Sequence, residues 1–251
     1  MKHIRAIPCR IAGFTLVEMA VVLAIVAFLL GGLLPTISSQ IEQQHRTETR
    51  KQLDDIKQAL IGYAVINGRL PCPADGTTPS GQTNAALVQA GFEYKNPVAG
   101  APFVCFNASG VLPWATLGVS ETDGWGRRFT YRVTPAFSNS TGGVGCTGNP
   151  KVGISFELCD SGDITILSAA VGGTSVSTAI PAVILSHGPD GLGAYTTSGQ
   201  VMAGAVGDQN ENANNDINFV YHDVTPNFDD MVVWISPNIL LNRMVAAGKL
   251  P

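Results

Sequence analysis

The feature that most constrains this chain is one apolar stretch close to its start. From Phe14 to Leu34 the residues are almost wholly apolar, and Glu18 is the one charge among them. A helix needs roughly 20 apolar residues to cross the hydrocarbon core of a bilayer, so this stretch is long enough to span one. Before it lies Met1 to Gly13, a short segment with Lys2, Arg5 and Arg10 and only scattered apolar residues. An ordinary secretory signal carries its apolar core inside the removed segment; here the apolar core comes after it. The basic residues hold the first segment in the cytoplasm, and the chain beyond the apolar run is directed across the membrane. A carboxylate in such a stretch is costly unless it reaches the headgroups or meets a cation, which makes Glu18 a candidate functional residue.

The helical pattern continues past the apolar run. Ile37, Ile41, Leu53, Ile56, Leu60 and Tyr63 recur at helical spacing between Glu, Gln, Arg and Lys, which predicts an amphipathic helix packed on a globular head. Pro35 removes a backbone donor and predicts a kink or local melting, and Asn67-Gly68 predicts the stop. Beyond it, short runs separated by Gly, Asn or Pro predict strands at Arg127–Thr134, Val152–Cys159, Asp163–Val171, Ile180–Ser186, Ile217–His222 and Met231–Ile235. A short helix is expected from Pro237 to Ala247, capped by Ser236 and stopped by Gly248. The expected organisation is residues 1–13 as a short basic segment, 14–35 as a membrane helix, 36–68 as its amphipathic continuation, and 69–251 as a β-rich head with long loops. The fold class is α+β, a long N-terminal helix on an antiparallel sheet.

Composition fits an exported domain. Only 14% of the residues are charged, and Gly and Pro number 28 and 15. The formal charge is −4, which argues against nucleic-acid binding through bulk charge. Outside the first segment, where Cys9 lies, there are four cysteines: Cys72, Cys105, Cys146 and Cys159. An even number in an exported domain predicts two disulfides; proximity favours Cys72–Cys105 and Cys146–Cys159 among the three pairings. The absence of a close C-x-x-C pair argues against zinc. His3, His45, His187 and His222 show no metal-binding or catalytic spacing, and neither a P-loop nor a G-x-S-x-G is present. No catalytic residue is assigned, and Trp114, Trp125 and Trp234 are expected in the core or at a subunit interface.

Ala12-Gly13-Phe14-Thr15-Leu16-Val17-Glu18, with the apolar run behind it and Pro35 at its end, resembles the processing site of type IV prepilins and type II secretion pseudopilins. The resemblance implies cleavage after Gly13 by a prepilin peptidase and N-methylation of Phe14. It also implies that Glu18 meets the N-terminal amine of a neighbouring subunit, and that Pro35 is the family's helix-disrupting proline. Pairing would relieve the burial cost of both charges. Three head fragments resemble the major pseudopilin: Asp123-Gly124-Trp125-Gly126-Arg127-Arg128-Phe129-Thr130-Tyr131, Ser186-His187-Gly188-Pro189-Asp190-Gly191, and Asp229-Asp230-Met231-Val232-Val233-Trp234. That protein holds calcium in the loop corresponding to Asp190–Asp216. The resemblance therefore makes Asp190, Glu211 and Asp216 the calcium-ligand candidates, because flexible loops rich in carboxylates and amides suit a hard cation; a required cofactor is not expected.

The expected function is that of a structural subunit of a type IV pilus or a type II secretion pseudopilus, not of an enzyme. The alternative is a minor tip pilin whose head is a binding or adhesion module. Expected partners are the prepilin peptidase, other pilin or pseudopilin subunits and the inner-membrane assembly platform. The expected location is the bacterial inner membrane, crossed once, with the C-terminal head in the periplasm and later in an extracytoplasmic filament.

Overall fold

A computed structural model describes residues 13–96, 104–139, 145, 146, 148, 151 and 153–250, without the side chains of residues 30–37. Met1 to Ala12, with Lys2, Arg5, Cys9 and Arg10, lie outside the described residues. The elements run in the order α1 (Leu16–Asn67), β1 (Ser109–Val111), α2 (Trp114–Leu117), β2 (Thr130–Val133), α3 (Pro135–Ser138), β3 (Ile164–Leu167), β4 (Ser175–Ile180), β5 (Ala182–Ser186), α4 (Gly207–Ala213), β6 (Asn218–Val220), β7 (Met231–Ile235) and α5 (Pro237–Ala246). The chain divides into two units, Met1–Gln43 and Gln44–Pro251.

In the first unit α1 carries the apolar run. Its assignment continues across Pro35, whose side chain is among those not described. The helix ends at Asn67, as the Asn-Gly pair predicts. Gly68 takes φ 70°, and a Cβ there would fall 2.0 Å from the Gly153 carbonyl oxygen, so only glycine fits.

The second unit is α+β, with the later turns of α1 packed on a sheet. Thr49, Leu53, Ile56, Leu60, Ile61 and Ala64 are buried, which is the three-to-four-residue spacing of one helix face. Ile41, which the pattern puts on the same stripe, is 48% exposed. The four-stranded sheet has order β1-β2-β5-β7 and is antiparallel throughout. Phe129, Tyr131, Val133, Ala182, Ile184 and Ile235 pack in one core with the buried helix residues and with Leu240 and Met244 of α5. Val183, Leu185 and Val232 alternate with them and enter a second core with Ile164, Ile166, Ile180 and Phe219. The central sheet is therefore covered on both faces, which explains why β5 reads as an unbroken apolar run, Ala-Val-Ile-Leu, and not as an alternation. Each such aliphatic side chain, fully buried, contributes about 1.5–3 kcal/mol.

Several expectations need correction. The second sheet, β4-β3-β6, is mixed: β3 pairs antiparallel with β4 but parallel with β6. The chain from β3 to β6 passes through β4, β5 and α4, which is long enough for a parallel crossover. Described residues 153–159 form no strand, although Ile154 and Phe156 are buried. They fill the core from an irregular segment held by Ser155 N–H donating to Gly68 O (2.9 Å) and Glu157 N–H to Asp160 Oδ2 (2.7 Å). Two strands escape the pattern: β1 has three residues, and β4 is a largely exposed Ser/Thr-rich edge. The helix α4 arises inside a segment that reads as loop. Ser236 precedes α5 as predicted, but its side chain makes no capping bond; Pro237 at the first turn sets the start.

Candidate functional site

Gly13 and Phe14 are exposed, non-helical residues just ahead of α1. The backbone at Gly13–Phe14 is therefore accessible and outside the helix. The next residue begins a reciprocal cap. Thr15 N–H and Oγ1 both donate to Glu18 Oε2 at 2.9 Å, while Glu18 N–H donates to Thr15 Oγ1 at 3.2 Å. This is a capping box, in which two helix-terminal donors find side-chain acceptors. Among the described residues Glu18 Oε1 accepts no hydrogen bond, so one carboxylate oxygen is left for another donor. The Thr15-x-x-Glu18 spacing is a readable capping signal, and attention to the charge alone passes over Thr15.

Around this cap the helix is apolar on every side. Leu16, Val17, Met19, Val21, Val22, Leu23, Ile25, Val26, Phe28 and Leu29 are all exposed, several at consecutive positions. A helix that is apolar all round belongs in lipid or in a bundle of helices. Among the described residues no helix is long and apolar enough to cross a membrane. The predicted run to Leu34 includes residues 30–34, whose side chains are not described.

In the second unit the three head fragments meet although they lie far apart in the chain. Asp123 Oδ1 accepts the N–H groups of Trp125 and Arg127 at 3.0 Å, closing a tight loop, and its Oδ2 accepts Ser186 Oγ at 2.6 Å. Arg127 Nη1 donates to the carbonyls of Gly188 and Pro189 at 3.1 and 2.9 Å, and Asp190 N–H donates to Asp229 Oδ2 at 3.0 Å. The same loop docks on α1: Gly124 N–H donates to Thr49 Oγ1 at 3.0 Å, His45 Nδ1 bonds the Gly124 carbonyl, and the His45 and Trp125 rings stack. A Cβ on Gly124 would lie 2.7 Å from His45 O, so the glycine permits the close approach.

A second anchor fixes the end of α1. Glu93, its side chain 4% exposed, accepts from Arg69 Nη1 and Nη2 at 2.7 and 2.9 Å, from Tyr63 Oη at 3.1 Å and from Cys72 N–H at 2.9 Å. Burial opposes ionisation of Glu93, but the hydrogen bonds and charges of Arg69 and Lys95 overcome it and hold the carboxyl below its usual range. Burial and the Glu93 charge push the Tyr63 phenol up to about 12. Cys72, in the same cluster, is bonded to Cys105, with Cα atoms 5.3 Å apart; Cys146 is bonded to Cys159, with Cα atoms 6.2 Å apart. Both pairings are those that sequence proximity favours.

Two of the three predicted calcium ligands meet, and the third lies with another carboxylate. Glu211 and Asp216 each accept from Asn214 Nδ2 at 3.1 Å, whereas Asp190 is joined to Asp229 through Gln209 Nε2, 2.8 Å from each. Among the described residues the one group of three potential metal ligands is Cys146, Glu157 and Cys159, and its two sulfurs are spent in the disulfide. His187 is buried between Thr130 Oγ1 (3.0 Å) and Asp230 (3.6 Å), and His222 pairs with Asp208 at 3.1 Å.

Comparison with curated proteins and with solved structures returned no match. The family model described as the prokaryotic N-terminal methylation motif does match, over residues 9–34. That span contains the Gly13–Phe14 bond, the Thr15–Glu18 cap and the whole apolar run. The chain thus carries a prepilin-type N-terminal methylation motif at residues 9–34.

Proposed function

We propose that this chain is a structural filament subunit, made as a membrane-anchored precursor and assembled outside the cytoplasm into a type IV pilus or a type II secretion pseudopilus. The observation that carries the reading is the methylation motif lying directly on an exposed helix that is apolar all round. In a precursor that helix sits in the bilayer. After cleavage at Gly13 it moves into a bundle of like helices, where side-chain packing supplies cohesion.

Glu18 gives the assembly its register. Its Oε2 caps its own helix through Thr15, while Oε1 receives the methylated Phe14 amine of the next subunit. A buried charge without a partner is far costlier than a paired one, so a subunit docked out of register is penalised. The head, fixed to α1 by the Asp123–Arg127 loop and the Arg69–Glu93 cluster, faces outward and follows the helix as it moves. Its role is structural and not catalytic.

The test is intact-mass analysis and N-terminal sequencing of membrane-extracted protein. The expected start is N-methylated Phe14. A mature protein that keeps Met1 to Gly13 would overturn the proposal.

A further inference from the structure

The edge of the four-stranded sheet bears a polar pocket that the filament reading does not use. It has a volume of about 330 Å³ and is lined by Asn107, Ala108, Ser109, Gly110, Arg132, Tyr195 and Asn215. No acidic residue is among them. Ser109 lies directly across from Arg132 in the β1–β2 register, and opposed residues of an antiparallel pair put their side chains on one face. Ser109 Oγ donates to Asn215 Oδ1 at 2.9 Å. Asn215 is in the left-handed region at φ 65°, and its carbonyl accepts from Arg132 Nη1 at 3.3 Å.

Arg132 is the unexplained group. Its side chain is 9% exposed, and the carboxylate it faces, Asp163 Oδ2, stands 3.6 Å from Nη2. That is well beyond the roughly 2.7–2.9 Å of a charge-assisted hydrogen bond. The other oxygen of Asp163, Oδ1, accepts Thr134 Oγ1 at 2.6 Å. Arg132 Nε is buried and has no hydrogen-bond partner among the described residues. With one long ion pair, one hydrogen bond at 3.3 Å and an unpartnered Nε, this buried guanidinium is incompletely satisfied, and its planar fork matches oxyanions.

The geometry points to this pocket as a binding site for a free small oxyanion, of the phosphate or carboxylate class, held chiefly by the Arg132 guanidinium with the Asn107 side chain beside it. Small neutral walls at Ala108 and Gly110 leave room for the anion and add no repulsion.

Inorganic phosphate is the probe, added to the full chain in detergent at constant ionic strength made up with chloride. Bound ligand stabilises the folded state by mass action, so phosphate at ten times its dissociation constant should raise the folded-to-unfolded ratio about elevenfold. The melting temperature should therefore rise saturably. Asn107→Asp places a carboxylate in the pocket and should abolish that rise. Independently of any variant, one arginine Nε–H resonance of the wild type should shift saturably with phosphate, and Arg132→Lys should delete that resonance. A wild-type melting temperature that follows ionic strength alone would refute the site, as would an undiminished phosphate response in Asn107→Asp.

Discussion

Replacing Glu93 by Gln keeps the side-chain volume and removes one charge from the cluster that ends α1. The carboxylate meets the two Arg69 nitrogens, Tyr63, Cys72 N–H and Lys95. Arg69, itself 7% exposed at the side chain, would lose the carboxylate charge that its two terminal nitrogens meet. Breaking one side of a buried pair costs about 3–5 kcal/mol. A domain of this size moves by about 2–4 °C per kcal/mol, so the melting temperature should drop by about 6–20 °C. The assay is thermal and urea unfolding of the oxidised protein in detergent, at pH 7 and down an acid series. Because the folded Glu93 carboxyl titrates below its usual range, its contribution is complete above the unfolded value of about 4.3. It is lost as pH falls through the lower folded value. Wild type and Glu93→Gln should therefore converge in acid and differ most near neutrality. A neutral-pH difference below about 1 kcal/mol, or one that fails to shrink in acid, would show that this cluster does not hold the helix end.

Two other outcomes are expected. Glu18→Ala should be cleaved and found in the membrane fraction like wild type, yet should largely fail to co-purify with assembled filaments, because a neighbour's amine would then be buried unpaired; wild-type incorporation would remove Glu18 from the assembly mechanism. Removing the Cys72–Cys105 bridge by Cys105→Ser should cost roughly 2–5 kcal/mol in urea unfolding, and a change below about 1 kcal/mol would place its role elsewhere.

Much of the N-terminal third is legible because its constraints are local. The leader junction, the apolar run, the Thr15-x-x-Glu18 cap and the Asn67-Gly68 stop each depend on residues within a few positions of one another. Helical geometry turns such spacings directly into structure. The strand β7 is legible to the residue, since Met231–Ile235 is bounded by Asp230 and by Ser236-Pro237. The pattern fails where burial does not require pairing. Ile154 and Phe156 are apolar enough for a strand, yet they enter the core from a loop. Conversely, β4 is polar and exposed and is a strand because β3 lies beside it.

The sequence by itself determined that the apolar run after Gly13 is helical and that the helix stops at Asn67, that its first turns are apolar all round, and that the head carries an even set of cysteines. Only the tertiary structure decided which side chains meet. Asp123 and Ser186, Arg69 and Glu93, and Asp190 and Asp229 are distant in the chain and joined by hydrogen bonds that no spacing encodes. The same holds for the acidic loop: Asp190, Glu211 and Asp216 look alike in sequence, but Glu211 and Asp216 share Asn214 whereas Asp190 shares Gln209 with Asp229. The physical reason is that a helix reports its own neighbours through its period, whereas contacts across a sheet depend on the order and register of strands, which are settled by packing over the whole head.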